Sequence, residues 1–217
     1  MPHPLDLDTW PRRQAFEHFR RFEQPFFSLC TKVDVAPLET RLRQRRLGSL
    51  TLACYHLTLR LAQRIEPFRY RLAGDRVWVH EHVRASTTVL CEGGRLGFAT
   101  LDSHEHFGTF AAAAAERIRA VRAGEVPFEP GPPNEPLIYL TSLPWVHFTS
   151  FTHARRNDPA DSVPRLAFGR IDDDGSRRWM PMALDVHHAL MDGVHAGEFV
   201  QGFEAALAEP DGWLDAA

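Results

Sequence analysis

The groups best placed to do chemistry lie close together near the end of the chain, in DVHHALMDGVHAGEF from Asp185 to Phe199. His187 and His188 adjoin, an Asp192-Gly193 pair follows, and His195 comes soon after. A partly buried imidazole stays neutral near pH 7 and can accept a proton from a substrate hydroxyl. The same residues also suit a core histidine whose hydrogen bonds are satisfied. A metal is the third reading, through His187 with His195, or through the HEH triplets at His80 to His82 and His104 to His106. Alternation along a strand would put two imidazoles of such a triplet on one face, but no third ligand at a defined spacing accompanies any of these pairs. By spacing alone, Asp192 would orient His188 as the carboxylate of a catalytic triad does.

The elements that must position these groups follow from periodicity. RRWMPMALDVHHA predicts a strand in which Met182, Leu184, Val186 and His188 share one face and Ala183, Asp185 and His187 the other. Phe199, Val200, Phe203 and Leu207 then trace a helical stripe ending at Pro210, so the histidines fall at a strand-to-helix junction. Upstream, Phe16, Phe19 and Phe22 at spacing three predict an opening helix from Trp10 to about Arg21, with Pro11 in its first turn. FFSLCTKVDV predicts a strand before Pro37, and SLTLACYHLTLRLAQRI a helix buried on most sides. RVWVHEHVRASTTVL reads as β-rich, Glu92-Gly93-Gly94 as the turn of a hairpin, and Phe107 to Val121 as a helix. EVPFEPGPPNEP, with five prolines, predicts an irregular loop within one domain. LIYLTSLPWVHFTSF and RLAFGRI, the latter followed by the acidic turn at Asp172 to Gly175, complete the expected strands of one sheet.

Composition narrows the function classes. The 217 residues contain 44% hydrophobic and 24% charged side chains, enough to bury a substantial core, and no compositional break argues for two domains. Twenty-five Lys and Arg are interspersed with 28 Asp and Glu for a net charge of -3, against a nucleic-acid surface. Cys30, Cys54 and Cys91 have neither disulfide-framework nor zinc spacing, and the sequence carries neither a secretory signal pattern nor an apolar run of membrane-spanning length. A cytoplasmic protein without nucleic-acid or membrane partners is expected.

The string His187-His188-x-x-x-Asp192-Gly193 resembles the HHxxxDG motif of coenzyme A-dependent acyltransferases. TWPRRQAFEHFRRF, SLCTKVD, TSLPWVHFTSF and HHALMDGVHAGEF, in that order, resemble the chloramphenicol acetyltransferase family nearly end to end. The resemblance implies an α/β fold with a two-layer arrangement of mixed β-sheet and helices, forming a single acyltransferase domain over residues 1–217. It implies a homotrimer in which His188 of one subunit faces an acceptor pocket built largely by its neighbour. Acetyl-CoA would be a co-substrate, with no permanently bound cofactor and no metal. Chloramphenicol is the leading acceptor, with a different alcohol or amine, or a catalytically idle ligand-binding protein, as alternatives. A lipoyl-linked complex would require further domains that 217 residues cannot supply.

Residue by residue, the family implies that His188 is the general base and that Thr141 stands where a serine hydroxyl stabilises the oxyanion. It replaces the triad reading of Asp192 with a structural ion pair to Arg12, leaving the tautomer of His188 to a backbone carbonyl. His18, Phe19, Phe98, Phe128, Arg165 and Ala167 fall at acceptor-pocket positions, as do Glu23 and Pro25. Arg170 falls at a basic coenzyme A position, and Ser49 at a second one. The family has apolar groups where this chain has Glu23 and Arg165, so each of these charges must be paired, solvated or turned away.

Overall fold

The computed structural model describes residues 1–128, 135–155 and 158–214. In chain order the elements are β1 His3–Pro4, α1 Arg13–Phe19, β2 Phe26–Asp34, α2 Ala36–Arg45, α3 Leu50–Arg64, β3 Tyr70–Ala73, β4 Arg76–Val79, β5 Arg84–Leu90, β6 Leu96–Leu101 and α4 Phe107–Arg122. Then follow β7 Leu137–Leu143, β8 Arg165–Gly169, β9 Asp172–Asp173, β10 Arg178–His187, α5 Gly193–Ala208 and α6 Asp211–Leu214. The larger sheet runs β2-β10-β8-β7-β5-β6, with β9 paired to β10; a smaller one runs β1-β4-β3. β5, β7 and β8 are parallel and their other neighbours antiparallel, giving a mixed α/β fold.

The larger sheet has two unlike faces because side chains alternate along each strand. Leu140, Leu166, Phe168, Met182, Leu184 and Val186 point to one face and join Tyr55, Leu57 and Leu61 of α3, Phe110 of α4 and Phe199 and Phe203 of α5 in the main core. The opposite parity carries Ser86 and Thr88 on β5, Tyr139 and Thr141 on β7, Arg165 and Ala167 on β8, and Ala183 and Asp185 on β10. The connection after β7 lies over part of this second face, packing Phe148 and Phe151 against Ala167 and Ala183.

A second apolar cluster joins the small sheet to the end of β10. Phe16 of α1, Tyr70, Leu72, Val77 and Val79 pack with Ala189 and Leu190, and Trp10 and Phe19 close its edge. This cluster sets α1 beside the double-histidine turn. Arg71, on β3 within the small sheet, reaches the larger one: its fully buried guanidinium donates to the carbonyls of Phe68, Tyr70, Glu135 and Leu137.

Several expectations change. α1 stops at Phe19, so Phe22 lies beyond it and is 47% exposed. Pro37 does not merely follow a strand; it sits in the first turn of α2, where its missing N–H has no partner to lose, and Leu38 and Leu42 bury that helix. RVWVHEHVRASTTVL breaks between Val79 and Arg84, sending β4 and β5 to different sheets. LIYLTSLPWVHFTSF is a strand only to Leu143, just before Pro144. Part of the proline-rich connection, 129–134, lies outside the described residues. Both HEH triplets fall outside regular strands, so the face-sharing alternation proposed for a metal does not arise. Among the described residues no group of three or more His, Cys, Asp or Glu could hold a metal, and no helix is long and apolar enough to cross a membrane.

Replacing Arg71 with Met should leave four converging carbonyls without their donor. A loss of about 3 kcal/mol in unfolding free energy is expected, read as a lower urea midpoint.

Candidate active site

β10 ends at His187, so His188 belongs to the turn that follows instead of continuing the strand face. Its backbone N–H donates to the Pro25 carbonyl at 2.6 Å. Its Nδ1 lies 3.2 Å from the Met191 carbonyl oxygen. A carbonyl can only accept, so Nδ1 carries a proton, and in the neutral ring Nε2 is the nitrogen with the lone pair. The ring stacks on Phe19 with centroids 3.8 Å apart and an interplanar angle of 8°, and Phe27 packs against it at 4.8 Å. His188 is thus half-buried, fixed in tautomer and held in plane, which are the properties a general base needs.

Asp192 does not touch that imidazole. Arg12 Nε donates to Asp192 Oδ2 at 3.0 Å, while Nη1 and Nη2 donate to the carbonyls of Ala189 and His188, each at 3.1 Å. One guanidinium therefore binds both sides of the turn. Asp192 is also the N-cap of α5, accepting the Val194 N–H at 3.1 Å, and its own N–H donates to His195 Nδ1 at 3.2 Å. Such a cap contributes ~1 kcal/mol to the helix. Burial opposes ionisation of Asp192, but the Arg12 hydrogen bond and nearby charges outweigh it and hold the carboxyl below its ordinary range.

His187 and His195 support the turn. His187 is 2% exposed, and its Nδ1 accepts the Ala189 N–H at 3.2 Å. Burial, aided by the charge of Arg155, pushes its pKa down to about 4. His18 extends the aromatic wall, its ring 4.9 Å from Phe19 and 5.0 Å from Phe22. Glu23 is exposed, and Pro25 meets His188 through its backbone.

Thr141 lies elsewhere in the chain, in a cavity of about 600 Å³ on the second face of the larger sheet. Ser86, Thr88, Phe98, Phe128, Tyr139 and Arg165 line it, and Phe98 and Phe128 pair at 5.0 Å. Ala167 shares a register position with Thr141 but is fully buried against Phe148 and Phe151, outside the lining. Arg165 donates to Asp161 at 2.7 Å, resolving how its charge is accommodated. His188 is not among the residues lining this cavity in its own chain.

Sequence reasoning missed four residues in or behind this cavity. Asp185 accepts from His153 Nδ1 at 3.1 Å and from Arg155 Nη2 at 3.0 Å, while Arg155 Nη1 lies 3.6 Å from Asp161. The opposite parity of Asp185 on its strand was a signal. Nothing in the sequence marked His153, Arg155 or Asp161. On the first face Ser142, the neighbour of Thr141, lines a smaller cavity of about 230 Å³ with Leu50, Thr51, Cys54 and Arg170. Arg170 is half-exposed and pairs with Asp172 at 3.3 Å, and Ser49 is the N-cap of α3. Gly169 lines the same cavity, and a Cβ there would come within 2.9 Å of the Val146 carbonyl oxygen.

A solved dihydrolipoamide acetyltransferase of Azotobacter vinelandii has the same fold, with a TM-score of 0.69 at 20% identity over 93% of this chain and 88% of that one. That likeness establishes the fold. A solved chloramphenicol acetyltransferase superposes with a TM-score of 0.81 at 27% identity, covering 95% of this chain and 100% of that one. The enzyme of that name from Streptomyces acrimycini is 32% identical, over 98% of this chain and 97% of its own length. The one from Bacillus pumilus is 26% identical, over 96% and 94%. Residues 3–204 match the family described as Chloramphenicol acetyltransferase, and the chain belongs to that family.

Replacing Arg12 with Gln should disconnect Asp192 from the carbonyls of His188 and Ala189. Because misplacing a catalytic group by about 1 Å can cost ~100-fold, a fall in kcat of that order is expected by steady-state kinetics. A second outcome concerns acid. The folded pKa of His187 lies below its ordinary 6.5, so its contribution to stability is complete above about pH 6.5 and is lost as pH falls towards about 4. Urea midpoints measured across this window should drop by the equivalent of up to about 3 kcal/mol, and more shallowly in His187→Gln.

Proposed function

We propose that this chain, acting as one acyltransferase domain, transfers the acetyl group of acetyl-CoA directly to an acceptor hydroxyl. The observation that carries the reading is the tautomer lock on His188, which makes Nε2 the basic nitrogen of the neutral ring. Nε2 would take the hydroxyl proton as the acceptor oxygen attacks the thioester carbonyl. The Thr141 hydroxyl would donate to the resulting oxyanion. Collapse expels the coenzyme A thiolate, which recovers the proton from His188. Both substrates must be bound together, and no covalent enzyme intermediate is formed.

The homotrimer belongs to the same proposal. His188 and the Thr141 cavity must meet, yet His188 does not line that cavity in its own chain. Exposed Phe22 and Val194 beside the histidine turn suit a covering subunit, so His188 of one subunit would complete the cavity of the next. The Ser142 cavity, with Arg170 at its edge, is the proposed approach for coenzyme A. Chloramphenicol is the acceptor named by the family. A more polar acceptor is the second reading, favoured by the charged residues lining the cavity.

His188→Ala should abolish thiol release from acetyl-CoA with chloramphenicol while leaving the circular dichroism spectrum intact. Thr141→Val should lower kcat by ~10²-fold, the usual cost of losing one oxyanion donor, and Thr141→Ser should restore it. Full activity in His188→Ala would sink the mechanism.

A further inference from the structure

The Thr141 cavity holds a polar cluster of a kind that apolar recognition does not require. Asp161 and Arg165 reach it from the end of the β7–β8 connection and the start of β8; His153 and Arg155 reach it from earlier in that connection. Buried Asp185 supports them from β10, directly opposite Arg165 in the strand register. Arg155 pairs with Asp185 and Arg165 with Asp161, so the two cations are matched by two anions. The Arg155 guanidinium lies on the Phe26 ring at 3.3 Å, and that of Arg165 lies 5.3 Å from the Tyr139 ring. Those contacts hold both guanidiniums in place.

Hydrogen bonds, however, remain unmade. Arg155 Nη1, Arg165 Nη1 and His153 Nε2 are buried and have no hydrogen-bond partner among the described residues. The side chains of His153 and Arg165 are each 8% exposed, and that of Arg155 15%. Leaving such polar groups dry and unpaired costs about 1–3 kcal/mol apiece, more on a charged group. Each belongs to a residue lining the cavity, so a ligand seated there is the natural source of the missing partners, oxygens for the two guanidiniums.

We propose that the acceptor is an alcohol carrying, away from its reacting hydroxyl, a carboxylate whose oxygens are taken by Arg155 and Arg165. The inference rests on the acyl-transfer reading above and specifies the acceptor for that site. The two guanidiniums, Arg155 set against Asp185, Asp161 and Phe26 and Arg165 against Asp161 and Tyr139, present Nη1 groups that make no hydrogen bond as fixed donors, which suits a two-oxygen anion. Phe98, Phe128 and Tyr139 supply the apolar wall for the body of such a molecule. A purely apolar acceptor would cover those donors without satisfying them, which is the arrangement a polar site rejects most strongly.

The test is thiol release from acetyl-CoA by the intact protein with three acceptors: 4-(hydroxymethyl)benzoate, 4-isopropylbenzyl alcohol and chloramphenicol. The first two share the reacting hydroxyl and differ only where a carboxylate replaces an isopropyl group of similar shape. A kcat/KM at least tenfold higher for the carboxylate is expected, shrinking several-fold in Arg155→Met and in Arg165→Met. If either variant does not fold, the wild-type ratio alone decides. A ratio of one or less, or chloramphenicol turnover with both benzylic alcohols silent, overturns this inference and leaves acyl transfer standing. No thiol release with any of the three removes the acyl-transfer reading itself.

Discussion

The site hangs on one guanidinium. Arg12 gathers the carboxylate of Asp192 and the carbonyls of His188 and Ala189, three acceptors that converge where β10 gives way to α5. A lysine could not hold them together, because the turn is shaped to a planar fork of donors. Arg12 is in turn held by the small apolar cluster that packs Phe16 and Trp10 of the N-terminal segment against Ala189 and Leu190. The backbone of His188 is thereby fixed from Arg12 and Pro25, and its ring from Phe19, Phe27 and Met191.

The second constraint is the alternation of side chains along β7. Thr141 and Ser142 are consecutive, so they reach opposite faces of the sheet and line different cavities. The acyl transfer proposed above would use these two cavities as separate approaches to one reacting centre. Neither approach can be moved by one residue without exchanging the two faces.

Charge in the larger cavity is tolerated because it is matched locally. Arg165 reaches an aspartate four residues earlier, and Arg155 reaches Asp185 through a loop that crosses the sheet. Burial lowers the pKa of Arg155, opposed by the two aspartates, and raises that of Asp161, opposed by Arg155. The arrangement is costly unless something uses it, and Arg155, Asp161 and Arg165 line the same cavity as Thr141.

The helix and strand periods were legible in the chain, because alternation and a 3.6-residue repeat are local properties of amphipathic elements. The order of the motifs was also there to be read, and with it the family to which Arg12, Thr141 and His188 owe their proposed roles. The strand before Pro37 was legible but α2 was not, because a proline suits a helix start as well as a strand end, and His188 was read as part of a strand face. Sequence placed Ala167 in a pocket that Phe148 and Phe151 cover. Only the tertiary structure could show that Met191 supplies the carbonyl for His188, that Asp185 anchors His153 and Arg155, and that Arg165 has Asp161 within reach. Those are contacts between side chains whose directions depend on packing, and no spacing rule along a chain encodes where a loop will lay its charges across a sheet.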